Sequence, residues 1–223
     1  MRRVEQELIS KRNSLIIEKP TGCKYMIANG RKDELKLLYK CFVREDSNLN
    51  KIIHCLNDYI EEKGKAIVTD EKLQSEPENF SQKLLDFKHE IDELIIYSFS
   101  SNLRFEKGRD TSFQHFMNIN ANTPIYIATY TDKEMRQGIQ GLSNEQIDER
   151  LTAIVRLFCC FSGRDLYVKK YQDYLSVRLL NKTVISTEAE EMMISKLKME
   201  LGINAVNKMT QMFKDMGLSR SLH

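Results

Sequence analysis

The sequence predicts an all-α protein in two helical halves, residues 1–121 and residues 122–223, the second an antiparallel helical bundle. Three observations carry this. Apolar residues recur at i, i+3, i+4 and i+7 along nearly the whole chain. Nine glycines and three prolines in 223 residues are less than half of ordinary usage, roughly 12 in 100. Two helix-entry signatures, Ser143 with Gln146 and Thr187 with Glu190, each precede an apolar stripe.

Val4, Leu8, Leu15 and Ile16 suggest the first helix. Pro20 and Gly22 interrupt it, and a short segment over 23–28 stops at Asn29-Gly30. Leu35, Leu38, Tyr39 and Phe42 form the next face. Leu49, Ile52, Ile53, Leu56 and Ile60 follow, with Asp46 or Ser47 as cap and Gly64 inside or just beyond the helix. Residues 69–79 are polar and read as a connection, after which Pro77 suits the first turn of a new helix. Phe80, Leu84, Phe87, Ile91, Leu94 and Ile95 make a long stripe, and Gly108-Arg109-Asp110 reads as a break before residues 113–119.

In the second half, Thr123 reads as a cap with Pro124 at the first helical position. Residues 125–130 have strand propensity, but all their neighbours are helical, so a helix is expected, ended by Gly138 and Gly141. Ile147, Leu151, Ile154, Val155 and Phe158 then run up to Gly163. Tyr167, Tyr171, Tyr174 and Leu175 mark the next helix. Met193, Ile194, Leu197 and Leu201 mark another, closed by Gly202. Val206, Met209, Met212 and Phe213 mark a last one, closed by Gly217. Short loops favour antiparallel neighbours.

Hydrophobic residues at 41% and charged residues at 30% fit a folded chain rather than a disordered one. The net charge of +2 gives no bulk electrostatic reason for a nucleic acid or an anionic membrane as partner. No apolar run approaches the roughly 18 residues of a membrane span, and the N-terminal residues hold no signal-peptide core. A soluble, cytoplasmic or nuclear chain is expected. The five cysteines, unevenly spaced and without a CxxC, read as reduced core thiols.

Candidate chemistry is sparse. Cys159-Cys160 lies at the buried end of an amphipathic helix, where neighbouring side chains diverge by about 100° and suit a shared metal poorly. His54-Cys55 with Cys41 matches no usual zinc spacing. The histidines, His54, His89, His115 and His223, are scattered, and no glycine-rich phosphate loop occurs. Glu188, Glu190 and Glu191 fit as partners of a helix dipole. Lys169-Lys170 among Tyr167, Tyr171, Tyr174 and Arg178 admits a nucleic-acid face. The reading adopted is an amphipathic helix with its tyrosines in the core and its cations in water, since Asp165 and Asp173 interrupt the patch. No catalytic, cofactor or metal residue is assigned, and the partner-binding residues are unknown.

The last hundred residues carry one specific ordered string. It runs from Gly138-Ile139-Gln140-Gly141-Leu142-Ser143 through Gly163-Arg164-Asp165-Leu166-Tyr167, Tyr171 and Tyr174-Leu175-Ser176-Val177-Arg178-Leu179-Leu180. A turn follows at Ser186-Thr187-Glu188-Ala189-Glu190. Then come Met193-Ile194-Ser195-Lys196-Leu197-Lys198, Gly202 and Met212-Phe213-Lys214-Asp215-Met216-Gly217-Leu218-Ser219. This string resembles the cullins, the scaffolds of ubiquitin ligases. Ser176-Val177, Leu201 and Asn204-Ala205 depart from the family pattern and mark a divergent member. The first 120 residues are similar to a cullin repeat in helix rhythm.

The resemblance implies a fragment covering the last repeat, an elongated helical stalk repeat over residues 1–121, and the four-helix bundle, the antiparallel helical bundle over residues 122–223, acting as a non-catalytic spacer in a cullin-RING ligase. It further implies a RING-box protein and a substrate adaptor as partners of the full-length protein, with this chain, a monomer, binding neither alone. The modification site and the RING-binding sheet would lie outside the chain. A generic helical interaction module and a cysteine-dependent enzyme are the competing classes. An elongated stalk would give a radius of gyration above the roughly 17 Å of a compact chain, and small-angle scattering at the compact value would contradict it.

Overall fold

The computed structural model describes residues 22–43 and 46–221, with side chains described except at 46, 47 and 216–221. The expected first helix, the Asp46 or Ser47 cap and the His223 side chain lie outside the described residues. Every described regular element is helical: α1 Cys23–Ala28, α2 Lys32–Phe42, α3 Asp46–Thr69, α4 Glu71–Ser75, α5 Pro77–Phe99, α6 Leu103–Met117, α7 Thr123–Lys133, a π-helical turn Glu134–Gly138, α8 Asn144–Phe158, α9 Arg164–Leu180, α10 Thr187–Leu201 and α11 Ile203–Ser221. No strand occurs among the described residues, so the chain is all-α.

The chain forms two compact units. Of the described residues, one takes those within 22–66 and 86–116, the other 67–85 and 117–221. The first is built on aromatic packing. Phe99 and Phe105 stack at 4.1 Å, and Tyr39 meets both edge-on, while Asn102 donates to the Tyr39 hydroxyl at 3.0 Å. Phe113 lies between Phe87 and Phe116 at 5.6 and 4.9 Å. Leu35, Ile52, Leu56, Ile60 and Ile91 fill the rest, as the helical spacing requires.

Two glycines in this unit mark close approach, not helix ends. Gly64 lies within α3 and Gly108 within α6, so the expected break at Gly108-Arg109-Asp110 does not occur. A Cβ on Gly108 would meet the Asn57 side chain at 2.6 Å, and one on Gly64 would meet the Phe116 ring at 2.3 Å. Because Phe116 is fully buried, Gly64→Ala is expected to destabilise the protein by about 1–3 kcal/mol through overpacking. An unchanged denaturation midpoint would show that the ring has room to yield.

In the second unit α7 packs on α8 and α9, α9 on α11, α11 on α10, and α10 back on α8. The predicted core residues Leu151, Ile154, Val155 and Phe158 are all buried. The capping box at α8 forms as expected, with Ser143 and Gln146 bonding each other's backbone N–H.

Four helix ends differ from expectation. Residues 69–79 carry the one-turn α4, because Asp70 accepts from the Lys72 and Leu73 N–H groups. Thr123 is the first residue of α7, after Asn122, and caps nothing. At α10 the cap is Ser186, which accepts from the Ala189 N–H, and not Thr187. Gly217 lies inside α11, since one glycine costs a helix only about 1 kcal/mol and need not end it. Gly202, with φ +84°, does close α10.

Candidate functional site

Tyr167, Tyr171, Leu175 and Arg178 stand four, four and three residues apart, on one face of α9. That face is the core face, and all four are buried. The same holds on α10 for Glu190, Met193, Ile194 and Leu197. Two opposite charges therefore enter the core on facing stripes of consecutive helices.

They meet there. Arg178 donates from Nε and Nη2 to the two oxygens of Glu190 at 2.7 and 2.8 Å, a bidentate pair. Its Nη1 donates to Asp132 of α7, whose other oxygen pairs with Arg136 at 2.9 Å. The Tyr171 hydroxyl donates to Glu190 at 2.8 Å, and the guanidinium lies 5.4 Å from the Tyr171 ring centre. Two arginines and two carboxylates balance the charge. Burial works against the Arg178 charge, yet Glu190, Tyr171 and Asp132 hold its pKa above the ordinary range.

A second layer of polar contacts runs beside this network. The Thr131 hydroxyl donates to the Ile127 carbonyl at 2.7 Å, so it accepts from the Tyr167 hydroxyl at 3.1 Å. Thr129 and Tyr174 repeat the arrangement at 2.9 and 3.0 Å. Next to these, Arg150 donates to both the Glu134 carboxylate and the Gly138 carbonyl, at 2.7 and 3.0 Å, and so ties the π-helical turn to α8.

These contacts correct two expectations. Arg178 is a buried clamp, not a solvated cation. Glu190 is its partner as well as a first-turn acid on α10. Neither is reachable by a substrate, because Arg178 is 0% and Glu190 1% exposed. The arrangement can hold α7, α9 and α10 in register. The expected tyrosine orientation holds for Tyr167 and Tyr171, both in the core. Tyr174 is half-buried, with the Lys170 ammonium 4.8 Å from its ring centre. The outward face of α9 exposes Leu166, Val177 and Leu180.

Burial raises the pKa of both core tyrosines, and for Tyr171 the Glu190 charge adds to it. The unfolded chain loses its tyrosine protons near pH 10, where the folded chain keeps these two. Stability is therefore full below pH ~10 and declines as pH rises beyond it. Tyrosinate absorbance is expected to show Tyr167 and Tyr171 silent while the protein stays folded. Ionisation of all nine tyrosines together near pH ~10 in folded protein would contradict their placement.

The remaining candidates are dispersed. Burial first, then the bond to Glu200, pushes the Cys159 thiol up to about 12, and only on the order of one part in 10⁵ is thiolate at neutral pH. Cys160 donates to the Arg156 carbonyl at 3.3 Å. His54 pairs with Asp58 at 3.7 Å and His115 with Glu61 at 3.1 Å. No cluster of three or more metal-ligating side chains occurs among the described residues. Nor is any described helix long and apolar enough to cross a membrane. In the first unit, Gly30, Arg31, Lys32, Asp33, Glu34 and Tyr97 line an open depression of about 370 Å³. Its charges are engaged locally, Arg31 with Glu34, Lys32 with Glu93, and Asp33 as acceptor from the Tyr97 hydroxyl.

The family model described as the cullin alpha solenoid domain matches residues 1–223. Cullin-3 of Dictyostelium discoideum is 33% identical over 217 residues, covering 97% of this chain and 28% of that protein. Cullin-3A of Arabidopsis thaliana is 30% identical over 217 residues, covering 97% and 30%. Cullin-4A of Homo sapiens is 32% identical over 220 residues, covering 98% and 28%. The chain thus spans less than a third of the length of these relatives.

Proposed function

The chain belongs to the cullin family, and from that premise we propose that it is a non-catalytic, rigid scaffold segment of a cullin-RING ubiquitin ligase. The family match over residues 1–223 carries the reading. Packing supports it. Tyr167, Tyr171, Leu175, Arg178, Glu190, Met193 and Leu197, which belong to the family-like string, are core residues. They maintain a shape. Connections between described helices are short, the longest being residues 181–186.

In this reading residues 1–121 serve as stalk and 122–223 as bundle. A spacer that fixes the distance between a substrate receptor and a ubiquitin-charged enzyme raises their effective concentration. The chain works in the cytoplasm or nucleus, where its thiols stay reduced.

The full-length protein would bind a RING-box protein and a substrate adaptor, and this chain alone neither. By the family resemblance the RING-box protein adds a strand to a sheet, and strand addition needs an exposed sheet edge. The described residues offer helices, whose backbone groups are already paired. The test is a titration of the source organism's RING-box protein against this chain and against the full-length protein. Binding by the full-length protein alone supports the proposal. Micromolar or tighter binding by the short chain sinks the partner assignment, and binding by neither favours a generic helical interaction module.

A further inference from the structure

We infer that Asn29-Gly30 is a latent deamidation site, closed by the turn that ends α1 and converted to aspartate and isoaspartate when that turn opens. The inference is independent of the scaffold reading. Asn29-Gly30 is the one Asn-Gly pair in the 223 residues. Such a pair is labile by its chemistry. The backbone nitrogen of the second residue can attack the side-chain carbonyl carbon of the asparagine, and glycine has no side chain to obstruct the approach. Both residues are exposed to water. Nothing lies within 4 Å of the place that a Cβ on Gly30 would take, so a ring has room to form.

The native turn occupies both reacting groups. The Gly30 N–H, the nucleophile, donates to the Ile27 carbonyl at 3.1 Å. The Arg31 N–H donates to the Met26 carbonyl at 2.9 Å, and Gly30 has φ +61°. Together these make a Schellman turn. The Asn29 side-chain amide, which carries the leaving group, reaches back along α1 and donates to the Tyr25 carbonyl at 2.9 Å. Tertiary contacts hold α1 in place. Cys23 and Ile27 are buried, and Lys24 pairs with Glu62 of α3 at 2.7 Å. Ring closure therefore waits for local opening, which costs less than unfolding the whole unit.

Once the turn opens, the Gly30 nitrogen attacks Asn29 Cγ. The Cγ–Nδ2 bond breaks, and ammonia leaves with the proton from the Gly30 nitrogen. Water then adds to one of the two carbonyls of the succinimide and breaks a ring C–N bond. One opening gives aspartate and the other isoaspartate. Water enters, ammonia departs, and nothing is oxidised or reduced. Either product sets a carboxylate at the C-terminus of α1, where the helix dipole disfavours it, and takes the amide donor from the Tyr25 carbonyl. Isoaspartate also lengthens the main chain by one methylene. The converted chain thus holds the end of α1 less firmly.

The full chain and a synthetic peptide of residues 25–36 are incubated side by side at mildly alkaline pH. Conversion is read by peptide mapping and enzymatic methylation of isoaspartate. The expected result is conversion in the folded chain slower than in the peptide by about tenfold or more, and a rate close to the peptide's once guanidinium unfolds the chain. Ile27→Ala, which removes a buried anchor of α1, should speed conversion in the folded chain. Should that variant fail to fold, the comparison with and without guanidinium decides alone. Equal rates in folded chain and peptide would overturn the gating, and no conversion in the unfolded chain would overturn the site.

Discussion

Arg178→Ala is expected to lower the unfolding free energy by about 3–5 kcal/mol, the usual cost of leaving one partner of a buried ion pair unpaired. The loss is large because Glu190 and Asp132 would remain in the core without the guanidinium that binds both. Glu190→Ala should cost a similar amount, as it also strips the Tyr171 hydroxyl of its acceptor. Removing both charges with apolar residues of similar volume, Arg178→Met with Glu190→Leu, should restore much of the loss. A double-mutant cycle of Arg178→Met and Glu190→Leu, each alone and both together, followed by helical circular dichroism in urea, isolates the coupling. Additive effects of the two single changes would show that the side chains do not interact.

Phe158→Ala is expected to cost about 3–5 kcal/mol through lost burial and the cavity left behind. Phe158 is fully buried at the end of α8. Its ring lies 5.5 Å from Phe161 and 5.0 Å from Tyr167, with the Arg164 guanidinium 5.6 Å away. Arg164 also donates to the Cys159 carbonyl at 2.8 Å, at the end of the same helix. Phe158→Leu should cost less, because it keeps more of the volume. A loss below ~1 kcal/mol in denaturant unfolding for the alanine change would mean that this face of α8 is not packed.

Much of the fold was legible because helical periodicity reports which face is buried. The stripes at Leu35–Phe42, Leu151–Phe158 and Met193–Leu197 depend only on spacing, and their core positions are buried as that spacing requires. Residues 125–130 formed a helix despite their strand propensity, in keeping with their helical surroundings. What spacing cannot report is the partner. Gly108 reads locally as a breaker, yet its lack of a Cβ admits the Asn57 side chain of another helix. Ser186 and Thr187 are equally good caps by type, and backbone geometry selects Ser186.

The buried network shows the same limit. Arg178 and Glu190 each stand on an apolar stripe, which is a readable sign of a core charge. Asp132 and the π-helical turn after it give no such sign, since their pairing depends on how α7 meets α9 and the turn meets α8. The family-like string was legible for a related reason. It is a long ordered set in which Tyr167, Tyr171, Leu175, Arg178, Glu190, Met193 and Leu197 are core residues, and such a set is more specific than any single motif in the chain.

The rigid-spacer account is tested most directly by ubiquitin transfer in the full-length protein that carries this segment. Residues 1–223 are replaced by a flexible Gly/Ser chain of equal reach, and transfer to a receptor-bound substrate is measured beside RING-box and adaptor binding. The account predicts that both partners still bind while transfer falls by on the order of tenfold or more, because a flexible link spreads the two ends over a larger volume. Undiminished transfer through the flexible chain would contradict it.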